Sequence, residues 1–419
     1  MLDATHNQTA TSWLESANRD DSPFPIQHLP FGRWLRQGQV RAALAIGDRI
    51  LDLTCVAQAT SLPVAGLEQG SLLGLADPSG RQSLRHWLFE QLSQGNSLLA
   101  SHPDWFDNLE EAVMLLPFEV GDYTDFYASI HHATRVGSMF RPDNPLLPNY
   151  RWVPIGYHGR ASSLIVSGTP VSRPHGQLKA DDLEAPVYGP CKMLDYELEL
   201  GLWVGQGNAL GQTLPLADIR QHWIGVSLLN DWSARDIQRW EYQPLGPFLA
   251  KSFATSVSPW VTTQEALAPF VCPAATHEPR PLDYLWDDQD QSAGGLDLEL
   301  EVCLRSASME EPRRVSSSNP KDLFWTPGQM LAHHASNGCP MRPGDLIASG
   351  TISGEAADSA GCLLELTWQG PGQPRQPVQL SDEERRTFLQ TGDEVVLSGW
   401  GRRPGYRSIG LGTCRGTIA

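Results

Sequence analysis

Residues 194–255 carry Asp195-Tyr196-Glu197-Leu198-Glu199, then Asn230-Asp231-Trp232-Ser233-Ala234-Arg235-Asp236-Ile237-Gln238, then Lys251-Ser252-Phe253-Ala254-Thr255. The first run alternates acidic with apolar residues, and a strand sends residues i and i+2 to one face, about 7 Å apart. Glu197 and Glu199 therefore share a face while Leu198 packs on the other. Two like charges held side by side repel, so a fold that keeps them together needs a cation or open water between them. Alone, such a triplet reads as the solvated face of a one-sided strand. The Arg, Gln and Lys that follow move the reading toward a metal-assisted site.

Outward from this stretch the chain has a turn-rich, mainly β pattern. Gly 38, Pro 32 and Trp 14 among 419 residues suit short strands and turns better than a helical bundle. Leu296, Leu298, Leu300, Val302 and Leu304 alternate with Asp297, Glu299, Glu301 and Cys303, which predicts a long half-buried strand. Leu44 and Ile46 before Gly47-Asp48, with Ile50-Leu51-Asp52-Leu53 after it, predict a tight hairpin. Leu84, Leu88 and Leu92 have helical spacing within 84–99. Thr326-Pro327 opens another helix, which Asn337-Gly338 stops; His333 and His334 ride on it as packing or surface residues. The length allows two or three domains. A boundary near Pro117 separates a small β-rich domain, 1–117, from a larger strand-dominated one, 118–419, and the polar residues 1–22 are expected to fray.

A formal charge of −17 argues against nucleic acid, because phosphate contacts need a dense basic surface. An anionic substrate must likewise be met by local Arg or metal charge. The cysteines, Cys55, Cys191, Cys272, Cys303, Cys339, Cys362 and Cys414, are scattered without a CxxC pair and read as reduced residues of a cytoplasmic protein. The start has no secretory leader pattern, and no apolar run reaches the roughly 20 residues that span a bilayer. With neither βαβ alternation nor a glycine-rich phosphate loop, a nucleotide-binding domain is excluded.

Asp125 and His132, seven residues apart, share a face if the segment from Asp122 is helical. Asp122 or Thr124 as a plain N-cap, with His132 in the core, is the alternative. Asp125, Glu197, Glu199 and Asp231 together make an all-oxygen ligand set, which selects hard cations such as calcium or magnesium over zinc. Arg235, Gln238, Tyr242 and Lys251 add donors able to stabilise developing negative charge on oxygen.

These residues lie within longer blocks that resemble the fumarylacetoacetase (fumarylacetoacetate hydrolase) family. The blocks are Gly121-Asp122-Tyr123-Thr124-Asp125-Phe126-Tyr127, 153–163 (VPIGYHGRASS), Asp231 to Gln238, 244–253 (PLGPFLAKSF) and 342–354 (RPGDLIASGTISG). The resemblance implies a homodimer with a small N-terminal β-barrel and a C-terminal mixed β-roll or β-sandwich that carries the site. It implies hydrolysis of a carbon–carbon bond in 4-fumarylacetoacetate, giving fumarate and acetoacetate at the end of tyrosine and phenylalanine degradation. Calcium (Ca2+) would be held by Asp125, Glu197, Glu199 and Asp231. A second cation, magnesium (Mg2+) or potassium (K+), would lie near Asp231, Lys251, Ala254 and Thr255; Ala254 stands where the family usually has Gly. Tyr127, Arg141, Tyr157, Arg235, Gln238, Tyr242 and Thr351 fall at substrate-contacting positions. His132 would activate water with Glu365 fixing its tautomer, and Lys251, Arg235 and Gln238 would hold the oxyanion. A related hydrolase, decarboxylase or dehydratase of another keto acid is the nearest alternative, and a non-catalytic calcium-binding β module the more distant one. The module would have no need of His132, Glu365 or Lys251.

Overall fold

In the computed structural model, which describes residues 2–93, 95, 97–180, 182 and 184–419, the N-terminal strands form one antiparallel sheet. They are β1 (Phe31–Arg36), β2 (Gln39–Ile46), β3 (Arg49–Asp52), β4 (Phe106–Asn108) and β5 (Val113–Leu115), in the order β4-β3-β2-β1-β5. The β2–β3 hairpin turns where expected, with Ile46 opposite Arg49 and Gly47 at φ +59°, a conformation that costs glycine little. The resemblance implies a barrel here. The strand pairings among the described residues run in sequence from β4 to β5.

The helix Pro78–Ser93 buries Leu84, Leu88 and Leu92. It ends before Leu99, which opens a separate 3₁₀ turn; Gln94 and Asn96 of the expected span lie outside the described residues. The polar N-terminus is packed rather than frayed. Thr5 and His6 are buried, Arg85 donates to Thr5 Oγ1 at 2.8 Å, and the His6 ring lies 2.7 Å from the Glu265 carbonyl. Buried polar side chains with hydrogen-bond partners inside the fold tie the segment down.

The larger sheet is mixed and carries the site. Its strands are β6 (Tyr123–Phe126), β7 (Gly156–His158), β8 (Leu164–Val166), β9 (Leu198–Val204), β10 (Trp223–Asp231), β11 (Thr255–Val257), β12 (Thr262–Thr263) and β13 (Leu346–Ala348). They follow the order β7-β6-β13-β9-β10-β11-β8, with β12 also on β10. Pairs β13–β6 and β11–β8 are parallel and the others antiparallel. A four-stranded antiparallel sheet joins Glu299–Arg305 and Arg313–Ser318 to Glu394–Gly401 and Ile409–Thr417. Leu300, Val302 and Leu304 point inward from it, as their alternation predicts, but the expected strand is broken, Gly295–Leu296 pairing separately with Val271–Cys272.

Strand alternation explains where the acids sit. On β9, Leu198, Leu200 and Leu202 join the main core, whereas Trp203 joins the core shared with the N-terminal sheet. Tyr123, Leu229, Val257 and Leu346 lie on that second face too. Glu197, Glu199, Asp125, Asp231 and Thr255 have the same parity, so one sheet face passes from apolar beneath the N-terminal sheet to acidic at its far end. The helix Pro327–Ala335 starts as expected, Thr326 and Gln329 forming a capping box. No helix among the described residues is long and apolar enough to cross a membrane, and their cysteines are all free.

Candidate active site

Strand register brings the four carboxylates together. Asp125 pairs with Tyr157 on β7 and with Ala348 on β13, while Asp231 pairs with Thr255 on β11. The backbone N–H of Asp231 donates to the Glu197 carbonyl at 3.2 Å, which sets the first acid of the triplet beside the end of β10. Carboxylate oxygens of Asp125, Glu197, Glu199 and Asp231 lie within 4.8 Å of one another, and all four residues are buried. The one-sided, solvated strand face is thereby corrected: β9 is central, and every residue along it is buried.

Most acceptors of this nest are engaged. Lys251 Nζ donates to Glu197 Oε2 at 2.5 Å and to Asp231 Oδ2 at 2.7 Å. Thr255 Oγ1 donates to Asp231 Oδ1 at 2.7 Å and the Tyr157 hydroxyl to Asp231 Oδ2 at 3.0 Å. Gly350, at φ +74°, donates its N–H to Glu199 Oε2 at 3.1 Å; a Cβ there would come within 2.2 Å of the Phe126 carbonyl. Two buried oxygens, Asp125 Oδ1 and Glu199 Oε1, keep no partner.

Electrostatics single out the same two acids. Burial and then the Asp231 carboxylate push Asp125 up to about 8, and burial followed by Asp125 and Asp231 raises Glu199 well above the ordinary range. Burial acts upward on Glu197 as well, but Lys251 and Arg235 outweigh it and hold that acid well below its usual value. Burial alone would lower Lys251; Asp231 and Glu197 reverse this and keep it protonated. An ammonium offers no lone pair, so the Lys251 side chain is a donor to the nest and not a metal ligand. Lys251 pairs with Glu197 and Asp231, and Arg235 divides its charge between Glu197 and Asp195, so these two cations do not balance four carboxylates. A hard divalent cation fits this deficit and the two orphaned oxygens.

A second cluster adjoins the nest. His132 Nδ1 lies 2.6 Å from Glu365 Oε2, both residues being buried. That oxygen also accepts from Ser353 Oγ at 2.8 Å and from Cys362 Sγ at 3.2 Å, while Arg135 reaches Oε1 at 3.3 Å. Burial alone would raise Glu365, yet the adjoining His132 brings it down to about 2. Asp125 and His132 do not share one helix. Asp125 lies in β6, which ends at Phe126, and after three intervening residues the helix Ile130–Phe140 begins, capped by Ser129 rather than by Asp122 or Thr124. The two side chains serve different clusters, to which fold and not helical spacing assigns them.

Among the donors, Arg235 opens the helix Arg235–Glu241; its Nη1 meets Glu197 Oε1 at 2.7 Å and Gln238 Oε1 at 3.2 Å. Its buried Nη2 has no partner, and neither has the buried Thr351 Oγ1. The Tyr127 ring stands edge-on to His132 at 5.3 Å. Tyr242 is half-buried and 6.0 Å from the Phe140 ring at the rim. Arg141 is not brought into the cluster: it is exposed and donates to the Pro145 carbonyl at 3.1 Å. Ala254 is buried beside Thr255 and can offer only backbone oxygen.

Comparison with known proteins places this geometry. The fumarylacetoacetate (FAA) hydrolase C-terminal family matches residues 123–419. Fumarylacetoacetases of Bos taurus and of Homo sapiens are each 45% identical over 414 residues, covering 95% of this chain and 97% of theirs. The chain belongs to the fumarylacetoacetate hydrolase family. Among solved structures, a fumarylacetoacetate hydrolase from Exiguobacterium antarcticum superposes with a TM-score of 0.53 at 17% identity, over 93% of this chain and 99% of that one, and so shares the fold. Sequence reasoning about this family member missed Asp195, Ser353, Cys362 and Arg135. Asp195 had a signal: it continues the alternation of Glu197 and Glu199. Arg135 had one too, three residues beyond His132 on the same helix. Cys362 had the same kind of signal, three residues before Glu365 at the N-cap of its turn, whereas Ser353, twelve residues before Glu365, meets it only through the fold.

Proposed function

We propose that this chain hydrolyses 4-fumarylacetoacetate to fumarate and acetoacetate, the last step of tyrosine and phenylalanine degradation. The observation that carries the reading is a buried His–carboxylate pair beside a four-carboxylate nest with unmet acceptors, in a chain 45% identical to fumarylacetoacetases over 95% of its length. Asp125, Glu197, Glu199 and Asp231 would hold the metal, calcium on the strength of its tolerance for irregular oxygen cages. When bound, such an ion polarises a diketone's oxygens and stabilises the enolate that leaves.

The protein groups supply the rest. With Nδ1–H donated to Glu365, the imidazole carries its lone pair on Nε2 and takes a proton from water. The water oxygen bonds to the carbonyl carbon that becomes the fumarate carboxyl group. Arg235, with its unpartnered Nη2, joins Lys251 and Gln238 in stabilising the tetrahedral oxyanion. As that centre collapses, the carbon–carbon bond breaks, its electrons pass to acetoacetate, and the imidazolium returns a proton to the leaving carbon. Tyr127, Tyr157, Tyr242 and Thr351 line the substrate, and Arg141 swings in from the rim to pair with a terminal carboxylate. A second cation, magnesium or potassium, would be held near Asp231, Lys251, Ala254 and Thr255, where backbone oxygens and the Thr255 hydroxyl would supply neutral ligands. The enzyme works as a cytoplasmic homodimer, with a boundary near Pro117 between a barrel-like N-terminal domain and the catalytic one.

Loss of the conjugated diketone's ultraviolet absorbance tests the reading. The wild type should turn over with calcium and stop with a chelator, while His132→Ala should lose about 100- to 10,000-fold in kcat. Wild-type turnover by His132→Ala with its metal retained would remove the general base from the scheme.

A further inference from the structure

Asp195 lies behind the site, completely buried, and none of the roles above uses it. Both of its oxygens are doubly engaged. Oδ1 accepts the backbone N–H groups of Tyr196 at 2.9 Å and Leu363 at 2.8 Å. Oδ2 accepts the Leu364 N–H at 3.0 Å and Arg235 Nε at 2.9 Å. Leu363 and Leu364 begin the single helical turn Leu363–Leu366, which carries Glu365. One carboxylate thus joins the donor proposed for the oxyanion to the turn that presents the partner of His132. Arg235 is left with Nη1 on Glu197 and Gln238 and with Nη2 free.

We infer that Asp195 is a positioning residue that fixes the oxyanion donor Arg235 and the His132–Glu365 pair relative to each other. The inference rests on the roles proposed for those three residues. An ordinary structural carboxylate would need only its backbone donors. Here a charge-assisted bond to the guanidinium is added to the two amide bonds to the turn. Misplacing a catalytic group by about 1 Å can cost a hundredfold in rate.

The test is a double-mutant cycle in the metal-loaded enzyme, reading kcat, KM, bound metal and Tm. Asp195→Asn puts an amide donor either against both Arg235 Nε–H and the Leu364 N–H or against the Tyr196 and Leu363 N–H groups. It should lower kcat about 100-fold or more, with KM within about threefold and metal content unchanged. In an Arg235→Ala or a Glu365→Gln background the same substitution should cost less than about fivefold further, because the groups it aligns are already lost. Asp195→Glu keeps the charge but moves the carboxylate by one methylene; it should fold and still lose at least about tenfold in kcat.

Wild-type kcat in either Asp195 variant would overturn the inference, as would losses that multiply in full in both backgrounds. Failure of both variants to fold would mark Asp195 as a folding element and equally overturn it. If instead Arg235→Ala and Glu365→Gln themselves turn over at wild-type rate, the proposed roles fall, and the inference with them.

Discussion

The carboxylate nest and the His132–Glu365 pair lie side by side and are equally buried, at 0–4% exposure for every member, yet they differ in how their charge is met. Glu365 is surrounded by donors from its own chain: an imidazole, a hydroxyl, a thiol and a guanidinium. The nest holds four carboxylates against two shared cations and leaves two oxygens without partners. Burying an unpaired charge costs far more than burying a satisfied one. The first cluster is therefore complete as folded, whereas the second calls for an ion from solution. Only the second should answer to a chelator.

The sharpest way to break that distinction is Glu365→Gln. The amide keeps the shape and some hydrogen bonds but removes the charge that stabilises an imidazolium. We expect kcat to fall about 100- to 1,000-fold, with bound metal per chain unchanged. Parallel loss of metal would show that the two clusters are one unit.

Asp231→Ala probes the other side. It removes a ligand and strips Lys251, Thr255 and Tyr157 of an acceptor, so cation affinity should fall at least about tenfold, read as metal retained after gel filtration. Equal metal content in variant and wild type would exclude Asp231 as a ligand.

The pH dependence of stability should separate the clusters as well. An unfolded Asp releases its proton near 3.8, whereas burial and the neighbouring Asp231 keep Asp125 protonated up to about 8. Between those values the folded state binds the extra proton, so stability of the metal-free protein falls as pH rises. Glu365 and Glu197 have the opposite sign, losing stability as pH falls below the ordinary carboxylate range, and so leave the window from 5 to 8 flat. Buried His28, lowered to about 3 by desolvation, acts in the opposite sense with or without metal, so the nest is read from the difference: the gap between Tm in saturating calcium and Tm in chelator should widen from pH 5 to 8. A gap that narrows as pH rises would contradict the nest's electrostatics.

How far this contrast could be read from sequence depends on the range of each interaction. The Glu197–Glu199 alternation, the Gly47-Asp48 hairpin and the Thr326 cap are encoded within a few residues, and the structure places them accordingly. The condition under which Asp125 and His132 would share a helical face is not met, because the chain leaves β6 at Phe126 and restarts as a helix only after Ser129. The parallel pairing of β6 with β13 joins residues more than 200 positions apart, and no local pattern specifies it. Asp195 reaches Leu363 across a comparable separation of 168 residues, whereas Ser353 and Cys362 lie only 12 and 3 residues from Glu365. The identity of Glu365 as the partner of His132 came from family resemblance alone.

Arg141 belongs to neither cluster, and its substitution should have the smallest effect. It caps the helix Ile130–Phe140, stands exposed and donates to the Pro145 carbonyl at 3.1 Å. To meet a substrate carboxylate it must leave that bond, a net loss of about 1 kcal/mol, and form a charge-assisted pair worth somewhat more. The balance is small, and the contact is the same in ground and transition states. Arg141→Ala should therefore raise KM by about tenfold or less and leave kcat near wild type. Because the guanidinium is exposed, the KM difference between wild type and variant should also shrink with added salt. An unchanged KM at low ionic strength would exclude Arg141 from substrate binding, and a large fall in kcat would draw it into the buried machinery from which the structure separates it.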